Sequence, residues 1–336
     1  MVRIKLGLLV FVLAIVGCGG LSPMVDNPLI TGVNFVGMSV RTVSESVDHL
    51  KYAVELKEIE LDSTPFKKLE VFPERVGLLR GANAHLLLMQ FEHGARSAAV
   101  PVNGPGIAHI CYQVDAKTKT YQKFIEGGAT HIGDPNLVQL RSGVPVSYAY
   151  AKDRDGIVFE VEHVDIDQLD LPEPPPHQYR IRHVSIATSD MSKSLDFYSS
   201  LLEQPRPRRA GRFFKLRGEA LDKISGFPNS KIQMAWFQTH NLELEIIQYH
   251  NPVPKVANNA RSLDALGYNM IVFNVSDLSR VANWVKQAGG ELLEKDAEVM
   301  GQKTVFARDP DGNLLGFQEA TIDSPVSSYH FDGNGA

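Results

Sequence analysis

His183 stands at the mouth of Arg180–Tyr198, RIRHVSIATSDMSKSLDFY, with an imidazole able to bind a divalent metal or carry a proton. Taken singly, a histidine at a strand start is more often a hydrogen-bonded structural residue. Downstream, Arg206, Arg208, Arg209, Arg212, Lys215 and Arg217 crowd one loop and strand, and such a cluster could grip a carboxylate or phosphate. A solvated basic loop is an equal reading of the same residues.

The elements that must position His183 are legible around it. Arg182–Thr188 alternates as a strand, with His183, Ser185 and Ala187 on one face. Asp190 is placed as an N-cap, and Met191, Leu195 and Tyr198 repeat at helical spacing behind it. The same order recurs three more times. Val33–Val40 leads into a helical stretch Ser44–Leu56, where RTVSESVDHLKY lies over SDMSKSLDFYSS and Phe35 falls at the place of His183. Gly106–Val114, with His109, leads into a helix over Lys117–Gly127, and Gly267–Val275 leads into Leu278–Gly289. Later strands are expected at Gly77–Arg80, His85–Phe91, Tyr148–Ala151, Gly156–Glu162, Arg212–Arg217, Lys231–Phe237, Asn241–Tyr249, Thr304–Arg308 and Leu314–Glu319.

A histidine at a strand mouth, a polar turn and a helix ending in Phe-Tyr resemble the domain start of the vicinal oxygen chelate superfamily. This family comprises glyoxalases, bleomycin-resistance proteins and extradiol dioxygenases. The hairpins DRDGIVFE and Asp309-Pro310-Asp311-Gly312-Asn313 resemble its closing Asp-Pro-Asp-Gly turn. The resemblance runs from about Thr31 to Thr321 and implies an α+β fold, four βαβββ repeats forming two glyoxalase-like domains with curved mixed sheets. Internal periodicity supports it. The expected plan is a signal peptide (1–17), a tether (18–30), a first domain (31–165), a Pro-rich linker (166–178), a second domain (179–321) and a loose tail (322–336).

In metal-using members each repeat can give one ligand from its first strand and one from its fourth. Carried over residue by residue, those positions hold Phe35 and Leu87, His109 and Glu160, His183 and Glu245, and Met270 and Gly316. The resemblance thus implies one metal site of His109, Glu160, His183 and Glu245, formed only if the second and third repeats face each other. Met270, Phe35, Leu87 and Met89 would fill a sterile cleft between the outer repeats. The remaining histidines, His49 among them, match neither position and read as surface or packing residues. Cys111 lies on the His109 face, either lining the cleft or as a small buried thiol.

Imidazole with carboxylate suits one divalent ion: Zn, Ni, Co, Mn or Fe. The activity implied is that of a metal-dependent glyoxalase- or epimerase-like lyase or isomerase, moving a proton next to a metal-bound oxygen of a small substrate. Glu245 and Glu160 are the candidate bases, and Arg208, Arg209 and Arg212 the candidate substrate grip. The other readings are an Fe(II) extradiol-type dioxygenase using His183, His109 and Glu160, and a non-catalytic small-molecule-binding protein of the resistance type. Glutathione is a poor fit as substrate. Ala187 and Tyr249 stand where glutathione-binding relatives tend to have arginine and asparagine.

Composition narrows the class. In 336 residues with 43% hydrophobic and 22% charged, there is enough apolar material for two cores. A net charge of −5 argues against nucleic acid as partner. Arg3 and Lys5, the apolar run Leu6–Val16 and Gly17-Cys18 read as a targeting segment, and Ile15-Val16-Gly17-Cys18 resembles a bacterial lipoprotein box. Lipidation of Cys18 would leave Cys111 without a disulfide partner. It would make the protein an exported lipoprotein, anchored to a membrane at the periplasmic face or cell surface. Partners expected are that membrane, a small-molecule substrate and a second copy in a homodimer.

Overall fold

The computed structural model describes residues 28–61, 66–92, 97–210, 215–255 and 260–335. The first repeat comprises β1 (Ile30–Ser39), α1 (Val43–Val54), β2 (Lys57–Ile59), β3 (Phe66–Lys67), β4 (Arg75–Arg80) and β5 (His85–Gln90). The second comprises β6 (Gly106–Asp115), α2 (Thr120–Glu126), β7 (Thr130–Ile132), β8 (Val146–Lys152) and β9 (Val158–Val164). β10 (Tyr179–Ala187), α3 (Met191–Leu201), β11 (Arg208–Ala210), β12 (Leu216–Arg217), α4 (Glu219–Ser225), β13 (Lys231–Gln238) and β14 (Glu243–Asn251) form the third. The fourth is β15 (Gly267–Val275), α5 (Leu278–Ala288), β16 (Glu291–Leu292), β17 (Ala297–Val299), β18 (Gln302–Arg308) and β19 (Leu314–Gln318).

Two of the helices start at a side-chain cap. Asp190 accepts from the Ser192 and Lys193 amides at 3.0 and 3.2 Å, and Asp277 accepts from the Ser279 amide at 2.9 Å. Each helix buries one apolar stripe, such as Val43, Val47, Leu50 and Val54 on α1. The helix expected over Lys117–Gly127 is shorter than that. Lys119 takes a left-handed φ of 55°, which splits the stretch into a 3₁₀ turn (Ala116–Thr118) and α2.

Two curled sheets form, and neither follows a chain half. One runs β2-β4-β5-β1-β15-β19-β18-β17-β3 and joins the first repeat to the fourth. The other runs β11-β13-β14-β10-β6-β9-β8-β7 and joins the second to the third. Both seams are antiparallel first-strand pairs, β1 with β15 and β10 with β6. The crossed pairing of repeats therefore puts His109 and His183 on adjacent strands.

The C-terminal segment is not loose, contrary to expectation. Val326 and Phe331 are buried, the Ser328 amide donates to Asn34 Oδ1 at 3.0 Å, and Arg80 Nη2 donates to the His330 carbonyl at 2.9 Å. Two apolar anchors inside a polar stretch suffice to tie it down. Cys18 and the expected signal peptide lie outside the described residues. Among the described residues no helix is long and apolar enough to cross a membrane.

Candidate metal centre

The two seams carry the same register, so ligand positions can be compared across sheets. Ser185 faces His109 in the β10–β6 pair, as Gly37 faces Met270 in the β1–β15 pair. Cys111 sits beside Glu160 as Val272 sits beside Gly316, and Ser185 beside Glu245 as Gly37 beside Leu87. Polar side chains thus occupy all four positions of one sheet, and Phe35, Leu87, Met270 and Gly316 occupy them in the other. There the cleft is filled. Phe35, Leu87, Met89 and Met270 are fully buried in one apolar cluster, and Met270 Cγ lies 2.6 Å from where a Cβ on Gly37 would stand.

In the polar sheet, His109, Glu160, His183 and Glu245 converge, all buried. His109 Nε2 is 3.4 Å from Glu160 Oε2 and 3.7 Å from Glu245 Oε2, and His183 Nε2 is 3.3 and 3.5 Å from the same two atoms. The ring centroids are 5.6 Å apart. Potential ligand atoms of His109, Glu160 and His183 all lie within 4.8 Å of one another. Neither imidazole has a hydrogen-bond partner at either nitrogen among the described residues. The two Nε2 atoms face the carboxylates, and the two buried Nδ1 atoms left without a partner cost about 1–3 kcal/mol each.

The donor set fits a divalent ion. Ligands at about 2.1 Å in a tetrahedron stand about 3.4 Å apart, close to the 3.3–3.4 Å between each imidazole Nε2 and Glu160 Oε2, and Glu245 lies outside the group of three whose ligand atoms are all within 4.8 Å. Electrostatics agree. Burial opposes ionisation of Glu160, but His109 and His183 hold its carboxyl well below the usual carboxylate range. For His183, burial disfavours the cation, and the Glu245 and Glu160 charges outweigh it and raise the imidazole. Protons and a metal ion would therefore compete for one set of atoms.

The surrounding shell adds orientation. Ser185 Oγ donates to Glu245 Oε2 at 2.7 Å, and the Tyr150 ring stands edge-on to His109 at 4.9 Å. A cavity of about 390 Å³ opens on Glu160, His183 and Glu245, walled by Tyr148, Tyr150, Trp236 and Tyr249. Trp236 Nε1 has no acceptor among the described residues. Cys111 is fully buried beside Glu160, the small buried thiol of the two readings.

Of the expected substrate grip, the backbones of Arg208 and Arg209 pair with Trp236 and Ala235 on β11–β13, and Arg212 lies outside the described residues. Among the described residues, the arginines that line the cavity are Arg141, Arg182 and Arg217. The ladder slips between Ile181 and His183, so strand alternation does not place Arg182, which lines the same cavity as His183. Its guanidinium donates to Glu162 and sits 3.7 Å from Glu243. Its place directly before His183 is the signal that could have found it.

Residues 180–317 match the model of the Glyoxalase/Bleomycin resistance protein/Dioxygenase superfamily. That stretch, the third and fourth repeats, carries a domain of that superfamily. The fold of the chain is similar to glyoxalase I from Zea mays, with 17% identity over 85% of this chain and 92% of that one and a TM-score of 0.58. It is also similar to a proposed dioxygenase from Bacillus subtilis subsp. subtilis str. 168, with 11% identity over 91% and 89% of the chains and a TM-score of 0.52. At such identities the likeness is one of fold. No curated protein matches the chain in sequence. The superfamily model covers the third and fourth repeats, and the shared seam register extends the same architecture to the first and second.

Proposed function

We propose that the protein is a metal-dependent lyase or isomerase that moves a proton on a small substrate, with His109, Glu160, His183 and Glu245 holding the ion. The observation that carries this reading is the convergence of two buried imidazoles on two buried carboxylates, with both Nε2 atoms 3.3–3.7 Å from the carboxylate oxygens. Two carboxylates facing one closed cleft are costly without a cation between them. A divalent ion bound there supplies Lewis acidity, which makes a C–H next to a coordinated substrate oxygen easier to deprotonate.

The chain's own side chains supply the remainder. Glu160, nearest both imidazoles, is assigned as a permanent ligand. Glu245 stands slightly farther away, lines the cavity and is steered by the Ser185 hydroxyl, so we assign it to take the proton and return it. Tyr148, Tyr150 and Tyr249 keep water from the transfer, and Trp236 Nε1 is free to donate to a substrate acceptor.

A second reading rests on the tight grouping of His109, Glu160 and His183, since two histidines and one carboxylate are the set that holds Fe(II) in non-haem oxygenases. Metal analysis of the purified protein tests both. About one ion per chain is expected, lost in His109→Ala and in His183→Ala. Glu245→Gln should keep the ion and lose turnover. Turnover that needs Fe(II) and consumes O₂ would replace the isomerase with the dioxygenase, and a metal-free native protein would leave a non-catalytic binding protein.

We further propose that the chain is an exported lipoprotein anchored through Cys18. Mass spectrometry of the mature N-terminus should find a diacylglyceryl group on that residue, and an unmodified Cys18 would refute the anchor.

A further inference from the structure

α4 has no counterpart in the other three repeats among the described residues. The sheet that carries the metal ligands is otherwise near-symmetric about its β10–β6 seam. Glu245 and Glu160 take equivalent places, with Trp236 across the ladder from one and Tyr150 across from the other. In the second repeat the chain passes from β7 to β8 without a helix, and in the third the equivalent passage folds into α4. This helix reaches the other side of the seam. The Lys223 carbonyl accepts the Asp134 amide at 2.7 Å, just after β7, and a Cβ on Gly133 would collide with that carbonyl oxygen. Glycine is what permits so close an approach. On its own side, Asp222 accepts the Asn229 and Ser230 amides at 2.8 and 2.7 Å. α4 is therefore tied to both halves of the sheet, across the cavity that it lines.

What α4 brings to that cavity is apolar. Leu221 and Ile224 line it from the helix, and Leu216, Ile232 and Met234 continue the same aliphatic surface on β12 and β13. The exposed Arg141, Arg217 and Glu219 mark the mouth. Glu160, His183 and Glu245 bound the same space. One cavity thus joins a metal-binding end to an aliphatic wall, and an apolar group seated on that wall removes its surface from water. The space suffices for both. At about 390 Å³ it is more than twice the volume of about 150 Å³ that holds one benzene, so it takes a metal-binding head and an apolar group of about six carbons besides.

We propose, resting on the metal-dependent reading of this cavity, that its substrate carries an apolar chain of about six carbons on a metal-binding oxygen head, and that α4 selects it through Leu221 and Ile224. The chain lies against α4 and the head faces the metal ligands. A substrate with the head alone leaves the aliphatic wall uncovered and binds more weakly. A charged tail would lose its water against that wall with nothing to pair it.

The test is calorimetric titration of the full-length protein, its metal content measured alongside, with acetohydroxamate and hexanohydroxamate. The two share one chelating head and differ by four methylenes. Each buried methylene strengthens binding about fourfold, so hexanohydroxamate should bind about tenfold tighter or more even with its chain only half covered. Ala220→Phe fills the space beside α4 and should cut that advantage to about threefold or less. Leu221→Ser should do the same and serves if the phenylalanine variant does not fold. Equal affinity for the two hydroxamates, or an advantage that survives in the folded variant, would overturn the role of α4 and leave the metal reading standing. Binding of neither hydroxamate would overturn the metal reading, and this inference with it.

Discussion

Ser185 lies directly across the β10–β6 ladder from His109, and its hydroxyl donates to Glu245 Oε2 at 2.7 Å. One small side chain at the seam thus touches the carboxylate assigned to proton transfer without itself being placed as a ligand. In the other sheet this position is Gly37, which Met270 overlies. Ser185→Ala removes the donor and leaves Glu245 free to turn. The expected result is a metal content equal to wild type with turnover reduced about a hundredfold, the low end of what a positioned general base contributes. Loss of the ion together with activity would mean that Ser185 acts through metal affinity instead.

Met270 predicts the opposite balance. It is fully buried where His109 stands in the polar sheet, and it fills the space that Gly37 leaves open. Met270→Ala should cost about 2–5 kcal/mol of unfolding free energy through lost burial and a residual cavity. Metal content and turnover of the folded fraction should not change. Urea unfolding beside metal analysis separates the two, and a variant as stable as wild type would show that the outer cleft is not packed as the structure has it.

Much of this was open to reading from the chain. Strand alternation fixes which residues share a face, so His183 with Ser185, and Phe35 with Gly37, could be aligned by repeat before any pairing was known. The crossed seam followed from the uneven ligand count, because only the inner repeats carry polar residues at the ligand positions. What escaped depends on local irregularity or on contacts distant in sequence. The slip at Arg182 breaks the alternation that places its neighbours. The left-handed Lys119 ends a helix inside a pattern that reads as continuous. α4 (Glu219–Ser225) carries too few turns for a periodic signal.

The C-terminal segment makes a third prediction, on stability. Phe331 packs on the His85 ring at 4.7 Å between centroids and under the Arg80 guanidinium at 5.5 Å, while its carbonyl pairs with His240 Nε2 at 2.8 Å. These contacts join the last residues to both the first and third repeats. Phe331→Ala should destabilise the protein by about 3–5 kcal/mol, and truncation before Ser324 by at least as much. Thermal unfolding measures it. A truncated protein melting with wild type would show that the segment adds nothing to the fold.

Asp153 gives the pH dependence. Burial is the largest influence on its carboxyl and raises it to about 7, with the Asp155 charge adding to the rise and backbone amides at Ile157 and Asp155 opposing it. In the unfolded chain the same group titrates near the ordinary aspartate value of about 3.9. Between those values the folded protein keeps a proton that the unfolded chain has lost. Stability from this group is therefore whole below about pH 4, falls as the pH rises, and reaches its lowest level above about pH 7. Asp153→Asn keeps an oxygen for the two amides and carries no titrating proton. The variant and the wild type should melt together near pH 4, and the variant should melt higher at pH 8. The same difference measured at both pH values would show that Asp153 does not hold its proton in the folded state.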